Sequence, residues 1–190
     1  MNALASTLVA QAMVSSPLGT IELAATARGL AGCWFTDQRH HPGPIDAPIA
    51  PRNAFIAQAV RELDAYWQDA LTAQFKVPLD PQGTPFQQAV WQALLQIPVS
   101  ASTSYGAIAR ALGRPQAMRA VGAAVGRNPL GIIIPCHRVL GSDGALTGYA
   151  GGLERKVDLL RREGLGATAP QRQARVAASF ATRNQEALFA

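Results

Sequence analysis

Thr103-Ser104-Tyr105-Gly106-Ala107-Ile108-Ala109-Arg110-Ala111-Leu112-Gly113-Arg114-Pro115 runs straight into Gln116-Ala117-Met118-Arg119-Ala120-Val121-Gly122-Ala123-Ala124-Val125-Gly126. Two short helical stretches divided by a Gly-x-Pro turn make a helix-turn-helix pattern. Ordinary helical hairpins share that pattern and outnumber DNA-binding ones, so the second helix has to decide. It is almost entirely Ala, Gly and Val, and Arg119 is its one charged residue. Small side chains let a backbone approach another surface closely, and a single Arg on such a face can probe a groove or a base stack. A major-groove reader would offer several long polar side chains instead. The composition predicts minor-groove docking with little reading of sequence.

Downstream lies Ile132-Ile133-Ile134-Pro135-Cys136-His137-Arg138-Val139. A short β-branched run predicts a buried strand, and the proline after it cannot continue a ladder. Cys136, His137 and Arg138 are therefore expected at the lip of that strand. A thiol reacts as thiolate, and a neighbouring imidazole or cation makes the thiolate accessible. The same pair also suits a buried structural cysteine beside a satisfied histidine.

Upstream, Ala12–Ser15, Thr20–Ala24 and Leu30–Phe35 read as three short strands of an antiparallel meander, with turns at Ser16-Pro17-Leu18-Gly19 and Arg28-Gly29. His40 to Pro51 is Pro-rich and reads as a loop. Phe55, Ala59, Leu63, Tyr66 and Trp67 recur at helical spacing, which predicts a helix over Asn53–Leu71 capped by Asn53, its aromatics serving the core. Phe75–Leu79 would add a fourth, edge strand. Thr84-Pro85 opens another helix, with Phe86, Val90, Trp91, Leu94 and Leu95 as its buried stripe. After a turn at Gly141–Gly144, Gly151-Gly152 suggest a close-fitting loop. Leu153, Val157, Leu159 and Leu160 mark the apolar face of a last helix ending at Glu163-Gly164. Residues 165–190 read as a tail with a weak helical pattern through Val176, Phe180 and Leu188.

Charge is uneven. Residues 1–100 hold five Lys+Arg against seven Asp+Glu, net −2, and residues 101–165 hold nine against four, net +5. The excess positive charge thus sits where a polyanion would be met. Two cysteines, Cys33 and Cys136, are too few for a disulfide framework and lack metal-site spacing, and the His40-His41 pair has no ligand cluster beside it. No metal is expected. The first basic residue is Arg28, so a charged signal-peptide region is missing, and no apolar run reaches the roughly 18 residues a membrane span needs. A cytoplasmic protein with reduced thiols and no membrane contact is expected.

Pro135-Cys136-His137-Arg138-Val139 resembles the active-site signature of the O6-alkylguanine-DNA alkyltransferases, the methylated-DNA–protein-cysteine methyltransferases. Ser104-Tyr105, Arg119-Ala120-Val121-Gly122, Asn128-Pro129, Gly148-Tyr149, Gly151-Gly152-Leu153 and Leu159–Gly164 resemble further family motifs in order and spacing, as does Thr84–Trp91. The likeness is strong over residues 84–164 and loose over 10–80.

It implies an α/β fold: an N-terminal small antiparallel β-sheet with a helix (ribonuclease-H-like, 1–80), then a mostly helical, winged helix-turn-helix-like domain (81–165) and a tail (166–190). It implies transfer of the alkyl group from O6-alkylguanine, and from O4-alkylthymine, to Cys136 in a stoichiometric, cofactor-free reaction on duplex DNA. His137 would be the general base through a water, and Glu163 would hold the imidazole. Asn128 would lock the turn before the active site, and Tyr105 would press on the target phosphate and protonate the departing base. Arg119 would replace the extruded nucleotide, with Ala117, Ala120 and Gly122 on the minor groove. Backbone groups of Cys136, Val139 and Ala150 would read the base, and Tyr149 would shape the pocket. A monomer is expected, with cooperativity on DNA left open. Some members carry a serine after the pocket tyrosine where this chain has Ala150, and the zinc ligands of some members have no counterpart. A lesion binder without transfer activity, a Cys-His hydrolase and a transcriptional regulator are the alternatives. Cys136 argues against the first, the unemployed helix-turn-helix against the second, and the low polarity of the recognition helix against the third.

Overall fold

A computed structural model describes residues 8–165. The expected tail helix lies outside them. Strands β1 (Leu8–Val14), β2 (Ile21–Thr26) and β3 (Leu30–Phe35) form an antiparallel meander in that order, with Leu23 between Ala12 and Cys33. β1 alternates between buried and more exposed residues, whereas β2 and β3 are buried throughout. The reason is that both faces of the sheet are covered. Helix α1 (Ala54–Gln68) packs Ile56, Ala59, Leu63 and Tyr66 into the main core. The segment 40–50, expected only as a loop, lays Ile45 and Ala47 over Leu8, Ala24, Ala31 and Trp34 on the other face. The Gln11 amide donates to the Ile45 and Ala47 carbonyls and fixes that cover. Asn53 caps α1 as expected, accepting from the Phe55 and Ile56 amides, but the helix stops three residues short of Leu71.

The free edge of β3 joins the two halves of the chain. Pro78 accepts from the Leu30 amide at one end, and Pro129 accepts from the Cys33 amide at the other. The expected fourth strand is reduced to a single parallel bridge, Leu30 to Leu79, because Pro78 has no N–H to extend a ladder. The second bridge, Cys33 to Leu130, positions the segment that leads into Cys136.

Helix α2 (Pro85–Leu95) starts with a reciprocal capping box between Thr84 and Gln87. Its Trp91 indole N–H donates to the Ala124 carbonyl at 2.9 Å, tying α2 to the helix-turn-helix. That unit is α3 (Tyr105–Ala111), a 3-10 turn (Pro115–Ala117) and α4 (Met118–Gly126). α4 buries Val121, Ala124 and Val125 and turns Arg119, Ala120 and Ala123 outward. Two strand pieces not anticipated from the sequence, β4 (Thr103–Ser104) and β5 (Val139–Leu140), pair in parallel and join the start of α3 to the Cys-His-Arg segment. Helix α5 (Leu153–Arg162) closes the described chain. Among the described residues no helix is long and apolar enough to cross a membrane.

The strand expected before Cys136 does not form. Ile132–Ile134 is buried but is not a strand. Ile133 bonds back to Gly131, Ile134 to Leu130 and Cys136 to Ile134, and Cys136–Arg138 is a 3-10 turn. The β-branched composition reported burial, not extension. With β3 pairing only at Leu130, the run meets its backbone groups by turns instead, at the cost of a positive φ of 70° at Ile132. The result is a mixed α/β fold, a small antiparallel sheet with a helix followed by a mostly helical half.

Candidate active site

Cys136 is 7% exposed and lines a cleft of about 510 Å³ together with Tyr105, Gly122, Arg127, Tyr149 and Ala150. Its position is set from the Asn128 side. The Asn128 amide nitrogen donates to the Ile134 carbonyl at 2.8 Å and reaches the Cys136 Sγ at 3.1 Å, while its Oδ1 accepts from the Leu130 amide. One buried side chain thus holds both ends of the turn and touches the thiol.

Behind the cysteine lies a polar network with no exposure at His137 or Glu163. Glu163 Oε1 stands 2.8 Å from His137 Nε2 and accepts from the Tyr66 hydroxyl at 2.9 Å. Arg138 forks onto the same carboxylate, through Nε at 2.7 Å and Nη2 at 2.9 Å, and its Nη1 donates to the Ile97 carbonyl. α5 delivers Glu163 as its C-cap, one residue past the last helical position. Leu165 bonds back to Leu160, and Gly164 takes the left-handed conformation (φ 75°) that ends a helix this way.

A carboxylate only accepts, so His137 Nε2 must carry the hydrogen, which leaves a lone pair on Nδ1. Among the described residues Nδ1 has no hydrogen-bond partner. Burial disfavours ionisation of Glu163, but His137 and the Arg138 fork overcome it and hold the carboxyl at about 2. Burial pushes His137 below its ordinary value more strongly than Glu163 pulls it up. The imidazole is therefore neutral at neutral pH, and Arg138 carries the balancing charge. Burial likewise pushes the Cys136 thiol up, with Asn128 and Lys156 offsetting only part of that. The resting pair is neutral thiol and neutral imidazole, not the ready thiolate the sequence suggested. Both residues sit in a 3-10 turn.

The cleft's outer wall is the segment 147–150. Lys156 is fully buried and donates to the Val139 carbonyl at 2.6 Å and the Thr147 carbonyl at 2.9 Å; burial brings its pKa down to about 8. Thr147 Oγ1 lies 3.1 Å from the Tyr105 hydroxyl. Tyr149 packs over Gly151, where an added Cβ would come within 2.7 Å of the ring.

A family model for the 6-O-methylguanine DNA methyltransferase DNA-binding domain matches residues 85–165, and one for the family's ribonuclease-like domain matches residues 9–81. The chain belongs to the 6-O-methylguanine DNA methyltransferase family. It is 48% identical over 150 residues to a methylated-DNA–protein-cysteine methyltransferase of Mycobacterium leprae, covering 79% of this chain and 89% of that one. A Methanosarcina barkeri protein of the same name is 45% identical over 151 residues, 80% and 94% of the two chains. The crystal structure of Mycobacterium tuberculosis OGT in complex with DNA superposes with a TM-score of 0.75 at 42% identity, over 84% of this chain and 96% of that one.

Within this family member, the structure brings Cys136, Tyr105, Gly122, Tyr149 and Ala150 to one cleft and sets Asn128, His137 and Glu163 behind it. Arg119 and Ala120 are exposed on α4, and Ala117, half-buried in the preceding turn, also lies outside the cleft lining. Val139 is fully buried, and Lys156 occupies its carbonyl. Sequence reasoning missed Arg138, Tyr66 and Lys156. For Lys156 the signal was available. The buried positions of α5 and its cap are Lys156, Leu159, Leu160 and Glu163, a helical stripe that contains two charged residues. The expected apolar face fails at Leu153, which is 48% exposed.

Proposed function

We propose that this chain is a methylated-DNA–protein-cysteine methyltransferase that takes the methyl group of O6-methylguanine in duplex DNA onto Cys136. The observation that carries this reading is a lone cleft cysteine held by Asn128 in front of a buried His137–Glu163–Arg138 network. The Cys136 sulfur attacks the methyl carbon as the carbon–oxygen bond to guanine O6 breaks. The thiol proton passes through a water to His137 Nδ1, the lone-pair nitrogen. Glu163 stabilises the imidazolium, the Tyr105 hydroxyl gives its proton to the departing guanine, and the proton held by His137 returns through solvent to the tyrosinate, so both side chains end as they began. The thioether is stable, so each molecule reacts once. The balance needs no cofactor.

The reacting atom is inaccessible inside a duplex, so the nucleotide is extruded through the minor groove, with Arg119 filling the stack. The small surfaces of Ala117, Ala120 and Gly122 let α4 approach the groove. Backbone groups of Cys136, Val139 and Ala150 then read the base beside Tyr149. O4-alkylthymine presents a similar alkyl ether and is a second substrate. The N-terminal unit (1–80) supports the DNA-binding unit (81–165), and the protein acts as a monomer in the cytoplasm.

Incubation with a duplex bearing one O6-methylguanine, followed by weighing of the intact protein, tests the proposal. One added methyl group per molecule is expected even with excess substrate, and none in Cys136→Ser. Turnover, or methylation that survives the substitution, overturns it.

A further inference from the structure

The first half of the chain carries net negative charge, yet it places a cation at the mouth of the cleft. Arg39 and His40, from the segment after β3, line the same cleft as Cys136, and Arg127 lines it from the end of α4. No Asp or Glu lines this cleft. Both arginines are exposed, and among the described residues neither guanidinium has an ion-pair or hydrogen-bond partner. By contrast Arg28 and Arg155, elsewhere in the fold, are paired with Asp80 and Asp37.

The position of Arg39 is built. Its amide donates to the Ala150 carbonyl at 2.9 Å, which fastens this segment to the cleft's outer wall. Two residues on, His41 Nε2 lies 2.8 Å from the buried Glu22 carboxylate, and Gln11 holds the rest of the segment on the sheet. His40 between them is left-handed, with a φ of 63°, a conformation uncommon outside glycine that persists where the surroundings impose it.

We propose that Arg39 and Arg127 form a two-sided clamp for backbone phosphates of the DNA strand entering the cleft, so that the N-terminal half binds DNA directly. The inference rests on the DNA-directed reading above. Cations flanking a cleft free of carboxylates complement a phosphate backbone, and one contribution from each half fixes the strand across the opening beneath which Cys136 sits.

The test uses the full chain with Arg39→Ala, Arg127→Ala and the pair. Affinity for an undamaged duplex is measured from about 50 to 200 mM salt, since each phosphate contact contributes about 0.9 to the log–log salt slope. Each single variant is expected to flatten that slope by about one, the pair by about two, with about a fivefold loss per contact near physiological salt. Repair of an O6-methylguanine duplex should fall by the same factor relative to alkylation by free O6-benzylguanine, which has no phosphates. An unchanged slope overturns the clamp. Equal losses on duplex and free base also overturn it, because the arginines would then serve the pocket. If the unaltered protein takes no methyl group from the O6-methylguanine duplex at all, the functional reading fails, and the clamp with it.

Discussion

The network behind Cys136 and the outer face of α4 are built on opposite principles. Behind the cysteine every charged group is buried and partnered: Glu163 accepts from Arg138 and Tyr66 and pairs with His137. On α4 the side chains beyond the exposed Met118 are small, and Arg119 stands exposed with no partner among the described residues. Chemistry requires groups preorganised to fractions of an ångström, and burial supplies that. Docking on a uniform polyanion requires reach and free charge, and burial would forfeit both. The two regions should therefore fail differently, the first through proton movement and the second through DNA geometry and salt.

The largest separation of the two is expected from Glu163→Gln. The amide no longer balances Arg138, and breaking a buried ion pair costs about 3–5 kcal/mol of stability. The transfer rate at neutral pH should drop by roughly 10²–10⁴-fold, the worth of a positioned acid–base group, while affinity for undamaged DNA holds. Urea unfolding and rapid-quench alkylation read the two effects. A destabilised protein that keeps nearly its full rate would make Glu163 an anchor for Arg138 and nothing more.

Arg119→Ala should do the reverse at smaller scale. Loss of the group that fills the stack is worth part of the few kcal/mol of unstacking, about 10–100-fold on duplex repair. Reaction with free O6-benzylguanine should lose far less, and stability should stay close to that of the unaltered protein. Equal losses on both substrates would remove the contrast between the regions.

The same contrast governed what the sequence disclosed. The Asn53 and Thr84 caps of α1 and α2, the three-strand meander and, among the cleft residues, Cys136, Tyr105, Gly122, Tyr149 and Ala150 were legible, because caps, turns, periodicity and short motifs are local signals. The partners of Glu163 were not. Tyr66 lies 97 residues away and looked like a core aromatic on α1, and Arg138 looked like part of a signature without a role. Ile132–Ile134 misled because its composition reports burial, whereas its conformation is decided by Asn128 and the single free edge of β3. The cover of the outer sheet face by 40–50 was invisible for a related reason: a Pro-rich segment reads as a loop whatever it packs against.

The central claim is that a neutral Cys136 thiol hands its proton to a neutral buried imidazole. Burial holds the thiol above its ordinary value and His137 below its own, so between them one proton is shared across a broad pH window. The direct test is the alkylation rate of the unaltered protein by free O6-benzylguanine across pH. A rate that is level through neutral and mildly alkaline pH, falling only in acid, below the ordinary histidine range, as His137 protonates, is the result predicted. A rate that instead climbs about tenfold per pH unit through neutrality toward the cysteine value would mean that free thiolate reacts without the relay, and would contradict the account.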